Sequence, residues 1–440
     1  MKIKAASLFT ALILLVISTP SADEVHARSG NRNDIQAAID AAPENGMVII
    51  PEGVFNINGP QIRVNKNLTI AGSGNNDTVL RGRSGLDWIF NVVTEGFFRL
   101  TNIVLDGQQG NGGVHLRSND LVMRIDNSRL TNFRNRAVLT HGKVVGVIDN
   151  NEFVENGRTD IVVYGDNDDS WDRPLSLGSG DAVYVEDNLF RAHQAPNLHA
   201  IASNRGAKYV FRHNTIDVGD QNSNPIDAHG NFYYGRGSRS YEIYGNKIKS
   251  GHSYMGMFIR GGTGVIFDNE FEGSFTHPIV LENYRSFNRE RGRFASYPAP
   301  DQISDLHIWN NSVNGNSAPE PFIHDRGVSR QHIQKNRDFF LSPQRDYQPY
   351  IYPHPLAGAQ NPQTTTLAST DASPRPASPA PSSTSRRRIS SSAPASNTLR
   401  HANNIPSAAQ KSGDDGTAPN GLFDFGEIWE EFFNALSFRG

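Results

Sequence analysis

Short runs of alternating apolar and polar residues recur along most of this chain. Many close on an asparagine with an apolar residue two positions later. "VGVIDNNEF" (145–153), "VYVEDNLF" (183–190), "YVFRHNTI" (209–216), "YEIYGNKI" (241–248), "VIFDNEF" (265–271) and "LHIWNNSV" (306–313) are the clearest; "FRLTNIVL" (98–105) and "LVMRIDNSRL" (121–130) fit more loosely. Strict alternation over a few residues marks a strand with one buried face. Asn246 and Asn269 are 23 residues apart, a normal length for one solenoid coil, and wider gaps imply loops inserted into individual coils. Between these runs lies a second strand set, including "GGVHLRS", "RAVLTHG", "TDIVVYGD", "LHAIASN", "PIDAHGN", "GMFIRGG" and "PIVLENY". Two or three short strands per coil with polar corners predict an all-β fold, a parallel β-helix. Asparagine suits the corners because it tolerates left-handed backbone geometry, and stacked amides can hydrogen-bond from coil to coil.

The helical period occurs near the start. Ile35, Ala38 and Ile39 predict an amphipathic helix over Ile35–Ala41, placed to cap the open end of the solenoid and block edge pairing. This layout resembles the N-terminal part of the pectate-lyase-like, right-handed parallel β-helix superfamily, and the resemblance covers roughly residues 30–358. It implies the fold and leaves the activity open, since that superfamily includes lyases, hydrolases, epimerases, esterases and binders.

The two ends read differently. Two lysines, an apolar run from Ala5 to Ile17 and small residues after it predict a signal peptide over residues 1–27, with cleavage sites after Ala22 or Ala27. The run is too short to span a bilayer comfortably, so no membrane span is expected in the mature chain, and a secreted, periplasmic or cell-surface location follows. Residues 359–420 are rich in Ser, Pro and Ala, a linker composition, with Arg386, Arg387 and Arg388 as a small basic cluster. Residues 421–440 carry Phe425, Ile428, Trp429, Phe432, Phe433 and Leu436 at helical spacing, an amphipathic tail that would dock on its own solenoid or on a partner. The net charge of −3 gives no global field for nucleic acid, and the absence of cysteine excludes disulfides, thiolate metal sites and a Cys nucleophile.

Stacking the second strand set gives candidate chemistry. With Ile226 and Ala228 inward, Asp227 and His229 point outward. Read across coils, the outward column becomes Arg117, Thr140, Tyr164, Ser203, His229, Arg260 and Glu282, with His324 and Asp325 near its end. His229, Arg260 and Asp227 are the predicted catalytic residues, with Asp227 set to orient substrate or a cation and not to touch the His ring. Glu282, Tyr164, Ser203, Tyr233, Tyr234 and Arg285 are the predicted substrate contacts. Trp171, Tyr284 and Tyr297 in the flanking loops are further rings for stacking on sugars. A titratable base, a cation and a carboxylate on one open face suit removal of the proton alpha to a uronate carboxylate. The partner expected is an acidic polysaccharide. If the glycosidic oxygen then leaves, the enzyme is a lyase; if the proton returns on the other face, it is an epimerase.

"Asp227-Ala228-His229-Gly230" resembles the Asp-Pro-His-Asp/Glu motif of mannuronan epimerases in its Asp and His. That resemblance implies proton transfer at His229 and charge neutralisation by a nearby base such as Arg260; Ala and Gly stand where that family has Pro and an acid. A glycoside hydrolase using Asp227 and Glu282, and a polysaccharide-binding or adhesion protein without chemistry, are the alternatives. No cofactor is required by the sequence. A metal is left open, with Ca²⁺ held by Asp166, Asp168, Asp169 and Asp172 as one option.

Overall fold

The computed structural model describes residues 24–74, 77–195, 199–231, 235–283, 297–324 and 332–358. Residues 1–23 of the predicted signal peptide and the predicted linker and tail (359–440) lie outside the described residues, as do Tyr233, Tyr234, Tyr284, Arg285 and Asp325.

The chain winds into a right-handed parallel β-helix, the hand that parallel crossovers almost always take. Strands from successive coils stack in three columns, one per face. The first face runs from Trp88–Val92 through Thr159–Tyr164, His199–Asn204 and Ile226–Ala228 to Phe322–Ile323. The second includes Val183–Glu186, Lys208–Arg212, Ser240–Tyr244 and Thr263–Phe267. The third includes Arg129–Thr131, Glu152–Val154, Leu189–Arg191 and Thr215–Asp217. Four long strands turn a corner and serve two faces. Gly112–Asp126 and Arg136–Asp149 join the first to the second, and Lys247–Ile259 and Glu270–Leu281 join the third to the first. Helix Arg32–Ala41 buries Ile35, Ala38 and Ile39 over the N-terminal end, as the spacing predicts. Before it, Glu24–His26 pairs with Met47–Ile49. Cleavage after Ala22 leaves this strand in place, whereas cleavage after Ala27 removes it.

Aliphatic and aromatic side chains from all three faces fill the interior and stack in register. Phe153 and Phe190 lie nearly parallel with ring centroids 4.8 Å apart, and Phe211 continues the stack. The recurrent asparagines form the predicted ladder at one corner. From Asn151 to Asn188, Asn214, Asn246, Asn269 and Asn311, each donates its backbone N–H and Nδ2 to the next Oδ1 at 2.9–3.2 Å. All six are buried, where an unpaired amide would cost about 1–3 kcal/mol. The left-handed geometry falls one residue earlier, on Asn150, Asp187, His213, Gly245, Asp268 and Asn310. Two neighbouring positions thus share the work assigned to one: the first makes the bend and the second bridges the coils.

The second face carries buried charge. Arg124 pairs with Asp149, and Arg212 with Glu186. A C-terminal strap lies over them. The carbonyls of Tyr350 and Ile351 accept from Arg212, that of Ala357 accepts from Arg124, and the His354 amide donates to Glu186. Tyr347 donates to buried Glu242, and Leu356 joins an apolar cluster with Tyr184, Val210 and Val265. The first face is not covered by this strap, and the candidate site lies there.

Candidate functional site

Register on the first face is fixed by the apolar positions. Ile201, Ile226, Met257 and Ile279 pair in one inward column, and Ser203, Ala228, Ile259 and Leu281 in the next. Between them the outward column reads Ala202, Asp227, Phe258 and Val280. One position beyond, Arg117, His141, Tyr164 and Asn204 pair in sequence. His229, Arg260, Glu282 and His324 continue that column, their amides bonding back to the preceding strand at Ser203, Ala228, Ile259 and Leu281. Two members of the predicted column are therefore corrected. Thr140 and Ser203 point inward, and His141 and Asn204 take the outward places. Ser203 is buried, its Oγ 2.8 Å from Ser238 Oγ, so it is not a substrate contact.

Asp227, His229 and Arg260 are brought together, but not as an open trio. Asp227 and Arg260 are each only 2% exposed. Arg260 Nη2 donates to both carboxylate oxygens at 2.8 and 2.6 Å, and Nε donates to Oδ1 at 3.1 Å. Arg260 is thus committed to Asp227 and is not the cation that meets a substrate carboxylate. Asp227 also touches His229 directly, Oδ2 to Nε2 at 3.0 Å, contrary to the expectation that it stands apart from the ring. Outward-facing here does not mean exposed, because neighbouring side chains on one column cover one another. Just beyond, Gly261 turns so tightly that a Cβ would lie 2.7 Å from Gly230 Cα and 2.5 Å from the Asp301 carbonyl.

The electrostatics follow from this packing. Burial alone would raise the Asp227 pKa, but Arg260 and then His229 more than offset it, holding the carboxyl well below the usual range. Burial, then Arg260, lowers the His229 pKa; Asp227 restores only part. Arg260 Nη2 also lies 2.6 Å from His229 Nε2. Nε2 thus stands between a donor, the guanidinium, and an acceptor, the Asp227 carboxylate. With its pKa lowered, His229 is held against this ion pair as a neutral imidazole.

Two residues join the cluster that stacking did not select. His199 Nε2 lies 3.7 Å from Asp227 Oδ2, with Nδ1 2.9 Å from the Asn224 carbonyl; burial lowers its pKa to about 4. Arg158 is close enough to depress the proton affinity of His229. Arg158 sits in the bend just before Thr159–Tyr164 and His199 at the first position of His199–Asn204, places that a pattern of alternation does not mark. Farther along the column, buried Glu282 accepts from His324 Nδ1 at 2.6 Å, which makes it a holder of His324 first. Tyr164 stands edge-on to His141, with the Arg205 guanidinium 4.8 Å over its ring.

The flanking loops are more internally bonded than their composition suggests. Trp171 donates to the Gly237 carbonyl and is contacted by the guanidinium groups of Arg236 and Arg239. Tyr297 donates to Asp338 with Arg337 against its ring. Asp166 is bonded to Ser170 and Arg173, and Asp168 to Arg236. These two acids meet protein cations, not a metal cage; among the described residues no three His, Asp or Glu side chains group as a metal site.

Several histidines share one condition. Burial is the first cause that lowers His199 and His115 to about 4 and His354 to about 3. They stay neutral in the fold and protonate once unfolded, so their contribution is complete above about pH 6.5 and is lost as pH falls toward 4. Unfolding free energy should therefore drop through that window, by about 1.4 kcal/mol per pH unit for each such histidine. Urea titrations across the window check this, and a flat profile would contradict it.

No protein-family model matches this chain, and no curated protein matches its sequence. Solved structures do. A mannuronan C-5 epimerase A-module from Azotobacter vinelandii is 17% identical, covering 74% of this chain and 94% of that one, with a TM-score of 0.43. An alginate lyase from Paenibacillus is 14% identical over 66% of this chain and 99% of the other, at 0.40. The ORF18 protein of Geobacillus virus E2 is 12% identical over 69% of this chain, at 0.46; the match spans 59% of that protein. The neighbours include pectate-lyase-like parallel β-helix proteins. Among the described residues no helix is long and apolar enough to cross a membrane.

Proposed function

We propose that this is a secreted protein acting on an acidic polysaccharide, with His229 moving the proton alpha to a uronate carboxylate. One observation carries the reading: a neutral histidine, held by a buried Asp–Arg pair, stands in an outward column that continues through Asn204, Tyr164 and His141 to Arg117. A neutral imidazole accepts a proton near neutral pH. Asp227 Oδ2, 3.0 Å from the ring, stabilises the imidazolium that forms on proton uptake, while Arg260 stays bonded to the same carboxylate. The positive charge of Arg260 and Arg158 around the ring lowers the cost of the enolate.

The proton leaves the carbon alpha to the carboxylate, and its electron pair passes into the enolate. In a lyase that pair then forms the C4=C5 double bond, the C4–O4 bond breaks, and the glycosidic oxygen takes up a proton. In an epimerase a proton returns to the opposite face of C5. The hydrolase reading is less well supported. It needs two carboxylates facing the glycosidic bond, whereas Asp227 and Glu282 are both buried and bonded to Arg260 and His324.

The secreted chain should be incubated with a panel of uronic-acid polymers, with and without Ca²⁺. Ultraviolet absorbance from a new double bond identifies a lyase. Deuterium incorporation at C5 in heavy water, without absorbance, identifies an epimerase. Binding with neither signal overturns the catalytic reading and leaves a polysaccharide-binding protein.

A further inference from the structure

The outward column does not stop at His229. Toward the N-terminal end it continues through Asn204, Tyr164 and His141 to Arg117, and aromatic rings flank that path. Trp88 lies 5.0 Å from His115, His115 stacks toward His141 at 6.5 Å, and His141 meets Tyr164 edge-on at 6.0 Å, centroid to centroid. A cation stands at each end of the path. Arg117 is exposed, and Arg205 is half-buried with its guanidinium over Tyr164. Neither has a carboxylate partner among the described residues, unlike Arg260, Arg212 and Arg124. Four rings and two guanidinium groups along one path, with two positive charges that meet no carboxylate among the described residues, are more than a solvated face needs.

We propose that Arg117 and Arg205, with the rings between them, form a binding track for the acidic chain on the N-terminal side of His229, each arginine taking one uronate carboxylate. The spacing selects the polymer. Arg117 and Tyr164 are two rungs apart, about 10 Å at about 4.8 Å per rung. One rung is close to the rise of one pyranose in an extended 1,4-linked chain. The two arginines therefore meet carboxylates two sugars apart on the same side. A flat ribbon of two-fold symmetry, linked through equatorial bonds, presents its carboxylates in that way. A buckled chain linked through axial bonds is shorter per residue and falls out of step. Counted from His229, the Tyr164 rung lies about two sugars away and the Arg117 rung about four.

This inference rests on the acidic-polysaccharide reading of the site, but its test does not need turnover. Titration calorimetry of the full chain, in a His229→Ala background, would use β-(1→4)-linked glucuronate and mannuronate oligomers of increasing length, with α-(1→4)-galacturonate oligomers for comparison. Affinity should rise in two steps as the oligomer reaches the Arg205 and then the Arg117 position. Arg117→Gln and Arg205→Gln should each weaken a long oligomer about tenfold or more, leave a dimer unchanged, and leave the melting temperature unchanged. Equal loss for dimer and long oligomer, no loss for either, or tighter binding of the galacturonates would overturn the track. If the oligomers bind as expected while the wild-type chain gives neither double bond nor exchange, the track stands and the catalytic reading falls. If turnover is found but both glutamine variants bind every length as the parent does, the reverse holds.

Discussion

The His229→Ala variant is expected to fold normally and to lose about 10²–10⁴-fold in turnover. The ring is more exposed than the ion pair it touches, its side chain 19% accessible against 2% for each of Asp227 and Arg260. Removing it leaves the buried ion pair intact, so melting should change little. His229→Gln is the sharper control. Its amide oxygen can still accept from Arg260, but it takes no proton at neutral pH, so it should keep the packing and lose the rate. The acid limb of kcat/KM should fall below pH 6.5, because burial and Arg260 lower the histidine's pKa and keep its basic form present into mild acid. Undiminished turnover in either folded variant removes His229 from the chemistry.

Arg260→Met should act on stability first. It leaves the Asp227 carboxylate buried without its main counter-charge. Breaking a buried pair by removing one partner costs about 3–5 kcal/mol. Removing both charges should cost much less, so Asp227→Asn combined with Arg260→Met ought to recover a large part of the loss. Urea denaturation of the two single variants and the double variant measures the coupling directly. A loss below about 1 kcal/mol in Arg260→Met is what a solvent-screened surface pair would give, and it would contradict the burial described above. Activity should fall in both backgrounds, since each removes a charge that holds the His229 ring.

These expectations depend on how far side-chain direction can be read from a string of letters. The asparagine repeat made the coil legible, because each amide must bridge to the next coil and so recurs at every corner. The inward set Ile226, Ala228, Met257, Ile259, Ile279 and Leu281 then placed His229, Arg260 and Glu282 in one column, as the structure has them. Thr140 and Ser203 broke the method. Small hydroxyl residues fit the interior, and a polar letter in an alternating run reads as outward when nothing nearby contradicts it. The slip hid His141 and Asn204. Burial was harder still. That Asp227 would be sealed under Arg260, His199 and His229 depends on rotamers and on neighbours from three coils, none of which alternation records. Arg158 and His199 sit at the edges of their strands, where alternation no longer assigns a direction.

The strap over the second face has a consequence for how the molecule is made. Tyr347 to Ala357 follow, in order of synthesis, every coil that they cover. Arg212 waits for a partner 138 residues later in the chain, and Arg124 for one 233 residues later. As the coils emerge one after another, Arg124, Glu186, Arg212 and Glu242 must remain hydrated, and that wet, charged wall opposes premature sticking between nascent chains. Only when the strap arrives do backbone carbonyls and amides replace the water on those charges. One side of the solenoid is thus finished after the rest, by a segment that carries its own hydrogen bonds with it.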